Sequence, residues 1–187
     1  MTLDVSPALR TRLLLLARET VQARLAGGKE PEASGAGERL AAFVTWRRKD
    51  DGSLRGCIGH VEPQYAVERA VAHSALAAAL EDPRFPAVTR EEVDDLTLEI
   101  SLLEPPRAIA PTDVEPGRHG LIVSRRGRRG LLLPQVAPEQ GWDREELLAH
   151  TCLKAGLPEG AWQESDVELL GFTATVFGED ETSPVNP

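Results

Sequence analysis

Apolar residues recur at two periods along the chain, and the switches between them mark out the elements. Leu9, Leu13, Leu16, Thr20 and Leu25 follow a helical period behind Ser6-Pro7, an N-cap with proline at the first helical position, and Gly27-Gly28 stops the run. The small, polar stretch from Gly27 to Gly37 reads as a surface loop. Leu40 to Arg47 and Leu54 to Val61 are apolar runs around a polar turn with Asp51-Gly52 at its tip, the signature of a hairpin. From Pro63, small apolar residues including Ala66, Val67, Ala70, Val71, Ala77, Ala78 and Leu80 share one broad helical face, which Pro83 and Pro86 terminate.

Strict alternation returns at Leu96, Leu98, Ile100 and Leu102. Gly120 to Ser124 and Gly130 to Val136 flank an Arg-Arg-Gly-Arg-Arg turn and predict a second hairpin. Asp143 and Glu146 form a capping box for a helix reaching Ala155, with Gly156 as its stop. Leu170, Phe172, Ala174 and Val176 alternate as a final strand, and the polar tail from Glu179 is expected to fray. Helices and strand pairs mix without regular βαβ alternation, so the pattern predicts an α+β fold with antiparallel sheets.

Composition narrows the function classes. The chain has 187 residues and a formal charge of −9, which sets the surface as a whole against nucleic acid and anionic lipid. No apolar run approaches the roughly 20 residues of a membrane helix, and the N-terminus lacks a secretory pattern, so a cytoplasmic setting is expected. Cys57 and Cys152 form no C-x-x-C pair, and the four histidines show no ligand spacing, so no metal or cofactor is expected. Arg125, Arg126, Arg128 and Arg129 make the basic cluster in which RNA binding would have to reside; without interleaved aromatic residues, a solvated hairpin tip is the preferred reading.

The densest chemistry is Leu54-Arg55-Gly56-Cys57-Ile58-Gly59-His60. In an extended segment, Leu54 and Ile58 face one way and Arg55, Cys57 and Gly59 the other. A guanidinium beside Cys57 would favour its thiolate and make it a nucleophile. The competing reading makes Cys57 a small buried hydrophobe and the glycines packing positions. His60 points away from Cys57 unless the strand bends near Gly59, and His119 is an equal candidate base. Cys152 falls on an apolar helical stripe and reads as core.

These segments resemble a known family. LRGCIG at Leu54 to Gly59, DPRF at Asp82 to Phe85, I-S-x-L at Ile100 to Leu103, G-x-H-G-L at Gly117 to Leu121, LPQV at Leu133 to Val136, Trp142-Asp143 and KAG at Lys154 to Gly156 look like the AMMECR-domain family. Its bacterial and archaeal members are called AmmeMemoRadiSam system protein A. The resemblance implies one α+β domain of two unequal subdomains, each an antiparallel sheet flanked by helices, with LRGCIG near a cleft between them. The larger would cover about 1–110 plus 165–187 and the smaller about 111–164.

By position, the resemblance makes Arg55, Gly56, Cys57, Gly59, Asp82, Arg84, Phe85, His119 and Gln135 the candidate functional set. It links the chain to a Memo-like protein and a radical SAM protein as partners, with no established activity of its own. Three functions are therefore on the table. They are a binding or accessory module that takes a partner or small molecule, a thiol-dependent enzyme with Cys57 as nucleophile and His119 or His60 as base, and RNA binding through the arginine turn.

Overall fold

The computed structural model describes residues 5–33 and 38–179. The expected fraying of the tail and part of the expected loop, residues 34–37, lie outside the described residues. The chain divides into two compact units: Glu104–Ala174 form one, and the stretches up to Leu103 and from Thr175 form the other. We call them the inserted unit and the flanking unit.

The flanking unit holds helix α1 (Pro7–Leu25), strands β1 (Ala41–Arg48) and β2 (Leu54–His60), helix α2 (Val67–Leu80) and strand β3 (Leu96–Leu103). Ser6 Oγ accepts from the Leu9 N–H at 3.3 Å, and Gly27 at φ 68° lets the chain leave α1 in the left-handed region. β1 pairs antiparallel with both β2 and β3, giving a sheet of order β2-β1-β3-β8. Both helices bury their apolar faces on one side of it. Leu13, Ala17 and Val21 of α1, with Val71, Ala75 and Ala78 of α2, cover Val44, Trp46, Leu98, Ile100 and Phe177. Each large aliphatic side chain so buried contributes about 2 kcal/mol.

The indole N–H of Trp46 donates to the Ala75 carbonyl at 3.1 Å, and Ser74 Oγ donates to the Ala42 carbonyl at 3.2 Å, so α2 is tied to β1 by polar bonds inside the core. This helix opens at Val67, later than the expected Pro63. Arg39 and Ala66 form an isolated β-bridge and the Val67 N–H donates to the Glu38 carbonyl at 3.1 Å, which holds Ala66 extended.

The inserted unit carries strands β4 (Arg107–Ala108), β5 (Gly120–Arg125) and β6 (Arg128–Leu132), helices α3 (Val136–Gln140) and α4 (Arg144–Lys154), and strand β7 (Glu168–Phe172). Its antiparallel sheet runs β4-β7-β5-β6 over a core of Leu121, Val123, Leu147, Leu148 and Cys152. β6 ends at Leu132 instead of reaching Val136, because Pro134 cannot donate to a ladder and Val136 starts α3. The capping box is formed: Asp143 Oδ1 accepts from the Glu146 N–H and Glu146 Oε2 from the Asp143 N–H, each at 2.9 Å.

The expected final strand is two strands. β7 pairs with β5 in the inserted unit, whereas β8 (Ala174–Gly178) joins the other sheet, and Thr173 lies at the break. The apolar alternation of the sequence runs across the break, yet the buried side changes: β7 buries Phe172, whereas β8 buries Phe177 and leaves the expected Val176 exposed. The result is an α+β fold of two antiparallel four-stranded sheets.

Candidate functional site

β2 is an edge strand, and its register fixes which way each motif residue points. Gly56, Ile58 and His60 lie opposite Trp46, Val44 and Ala42, on the face covered by α2; Cys57 and Gly59 lie opposite Thr45 and Phe43, on the other face. The ladder slips between Trp46 and Arg47, where Arg55 is the extra residue of a bulge.

Arg55 is the main correction to the sequence reading. Its side chain is only 5% exposed and donates from Nε and Nη2 to Glu92 at 2.6 and 2.9 Å, a two-point carboxylate grip. Arg48 also reaches Glu92, at 3.2 Å. The hydrogen bond from Arg55 holds the Glu92 carboxyl below its usual range against the opposing effect of burial. Arg55 is therefore a paired structural cation, not the neighbour that tunes Cys57.

The arginine that reaches Cys57 is Arg84. An edge strand leaves backbone groups unpaired on its outer side, and the Asp82-Pro83-Arg84 turn covers those of Cys57. Asp82 Oδ2 accepts the Cys57 N–H at 2.9 Å, while Arg84 Nη2 donates to the Cys57 carbonyl at 3.3 Å. The two side chains also bind each other, Nη2 to Oδ2 at 2.7 Å and Nε to Oδ1 at 3.0 Å. Acid and base thus complete the ladder as a short strand would. The Arg84 hydrogen bond, with the Cys57 and Arg84 N–H groups, holds the buried Asp82 carboxyl far below the ordinary carboxylate range; Asp82 in turn raises Arg84. Phe85 lies 5.5 Å from the Arg84 guanidinium and 5.9 Å from that of Arg55, so one aromatic ring serves both.

The sulfur of Cys57 is half-buried and accepts a bond from Thr45 Oγ1 at 3.2 Å. His60 lies on the α2 face, the opposite one from Cys57, and 5.4 Å from the ring of His73. Packing requires both glycines of the motif. A methyl at Gly56 would overlap the Ala78 carbonyl of α2, and one at Gly59 would overlap the Ala42 carbonyl and the Phe43 ring.

A family model described as AMMECR1 matches residues 14–177. The chain belongs to the AMMECR1 family. Protein MK0488 of Methanopyrus kandleri is 42% identical over 181 residues, 90% of this chain and 87% of that protein. Protein PH0010 of Pyrococcus horikoshii is 42% identical over 182 residues, 90% of this chain and 88% of its own. The crystal structure of PH0010, described as an uncharacterized protein, matches with a TM-score of 0.83 at 42% identity, covering 94% of this chain and 93% of that one.

In this AMMECR1 chain, the remaining predicted residues belong to the inserted unit. His119 Nδ1 accepts from the Glu115 N–H at 3.0 Å, so its ring proton is on Nε2, and burial followed by the charge of Arg118 lowers its pKa. Gln135 precedes α3 with its Oε1 buried and without a hydrogen-bond partner among the described residues. Cys152 is fully buried, and burial pushes its thiol up. The arginine turn is a two-residue loop with Arg126 at φ 48° and Gly127 at φ 81°. Arg125 pairs with Glu164 and Asp166, Arg126 with Asp166, and Arg128 donates to the Gly156 carbonyl at 2.7 Å. Among the described residues, no group of three His, Cys, Asp or Glu side chains is placed to hold a metal.

Sequence reasoning missed Glu92 and Thr45. Glu92 stands in an ordinary polar run, Arg90-Glu91-Glu92, and nothing in its spacing distinguishes it from Glu91. Thr45 was within reach, because counting outward from the Asp51-Gly52 turn brings it opposite the Cys57 neighbourhood.

Proposed function

We propose that this chain is a binding module, an accessory component acting with Memo-like and radical SAM partners, and that it engages them through the outer edge of β2 at Cys57 and Arg84. One observation carries the reading. Asp82 and Glu92 are committed to internal bonds, and Arg55 is buried, with its Nη1 sealed from solvent and without a partner among the described residues, whereas the Arg84 side chain is 54% exposed and its Nη1 takes no part in the bonds to Asp82 and Cys57. A guanidinium held rigid on one side and open on the other is suited to an acidic group of a partner. In contrast, the thiol's hydrogen bond comes from a threonine hydroxyl, which is no general base at neutral pH. Locating the module in the cytoplasm belongs to the same proposal.

The test is affinity measurement with the purified Memo-like and radical SAM proteins of the same organism. Arg84→Ala weakens the complex about tenfold or more, and Cys57→Ser leaves it intact. Failure of both partners to bind the unaltered chain refutes the module.

A further inference from the structure

We propose that the inserted unit carries a separate binding site, a cavity that takes a small organic molecule by its carboxylate or phosphate group, with Arg107, His119 and Thr173 as the contacts. The cavity has a volume of about 530 Å³, within the range of metabolite sites, and all of its lining residues lie between Glu104 and Ala174. Thr173 supplies the first argument. Its backbone is already engaged, the carbonyl accepting from the Glu104 N–H at 3.0 Å, yet its Oγ1 is buried with no hydrogen-bond partner among the described residues. That hydroxyl is an unmet donor on a residue that lines the cavity.

His119 supplies the second. Its N–H and Nδ1 are both tied to Glu115, at 3.0 Å each, which fixes the ring on its loop and leaves Nε2–H as its unused donor. Burial keeps the ring neutral at neutral pH, so this donor carries no charge that a second cation would repel. Arg107 is the third. It is exposed and makes no ion pair among the described residues, unlike Arg118 on the same cavity, whose guanidinium faces both oxygens of Glu115 at 3.1 Å. Three donors of different kinds line one cavity against a single carboxylate, that of Glu104, a balance that suits an oxyanion. Pro105 and Ile109 on the same wall give room for a carbon skeleton, which favours an organic anion over a bare ion.

The test uses the whole ¹⁵N-labelled chain, titrated separately with inorganic phosphate and with succinate at pH 7. The expected result is a saturable shift of the Thr173 and Gly171 amides and of the His119 ring with at least one probe, and the probe that acts tells a phosphate site from a carboxylate site. Thr173→Val and Arg107→Gln each weaken that binding about fivefold or more. The ligand-free Thr173→Val protein melts no lower than the parent, since an unpartnered hydroxyl gives nothing up. The proposal is overturned by any of three results: no saturable shift up to about 10 mM of either probe, shifts that persist unaltered in both variants, or a lower melting point for Thr173→Val.

Discussion

Asp82 holds two motifs together with one carboxylate. It accepts from the backbone of Cys57 and grips Arg84 at two points, and its folded-state pKa lies far below the unfolded value because of those bonds. As pH falls, the unfolded chain therefore takes up this proton first. The stabilisation is complete above about pH 4 and declines as pH drops toward the folded-state value. Asp82→Asn is expected to cost about 2 kcal/mol at pH 7 in urea denaturation, with the gap to the parent narrowing below about pH 4. A second expectation concerns the two thiols. Cys57 is half-buried and Cys152 is sealed in the core with its thiol pushed up by burial. Iodoacetamide labelling followed by mass spectrometry should modify Cys57 in the folded protein and Cys152 only after denaturation. At this scale the sequence identified the residues of the site better than their partners. Arg55 and Arg84 are chemically equivalent on paper, and only the Arg55 bulge and the position of Glu92 decide which guanidinium reaches Cys57.

At the level of elements, β2 and α2 approach closely enough that Gly56 has a backbone carbonyl where a side chain would begin. Gly56→Ala should cost about 3 kcal/mol by forcing the helix off the strand. Gly160 offers the control: nothing lies within 4 Å of its would-be Cβ, and Gly160→Ala should shift stability by no more than about 0.5 kcal/mol. Thermal or urea denaturation of the two variants checks both. The long elements were legible because their local signals are strong: the β1–β2 hairpin from two apolar runs around Asp51-Gly52, and α4 from its capping box. β4, two residues long, is too short to carry a period. The break at Thr173 was hidden because the apolar alternation of the sequence runs straight across it, while burial shifts from Phe172 to Phe177 as the partner strands change. The late start of α2 depends on a bridge to Arg39, a tertiary contact that local pattern does not encode.

For the whole molecule, the acidic balance and the paired arginine turn point the same way. With a formal charge of −9, and with Arg125 and Arg126 held by Glu164 and Asp166, part of the arginine charge at the hairpin tip is already compensated, which weakens its hold on a polyanion. No helix among the described residues is long and apolar enough to cross a membrane. The two units each have their own core, so a binding role can be divided between them: an arginine-bearing edge in the flanking unit and a small-molecule cavity in the inserted one. The proposed role of the β2 edge is tested by titration calorimetry of the purified Memo-like partner into the unaltered chain, Arg84→Ala and Cys57→Ser. The expected result is binding that Arg84→Ala weakens about tenfold or more and Cys57→Ser leaves unchanged. Equal affinity for the unaltered chain and Arg84→Ala, or loss of binding in Cys57→Ser alone, would contradict it.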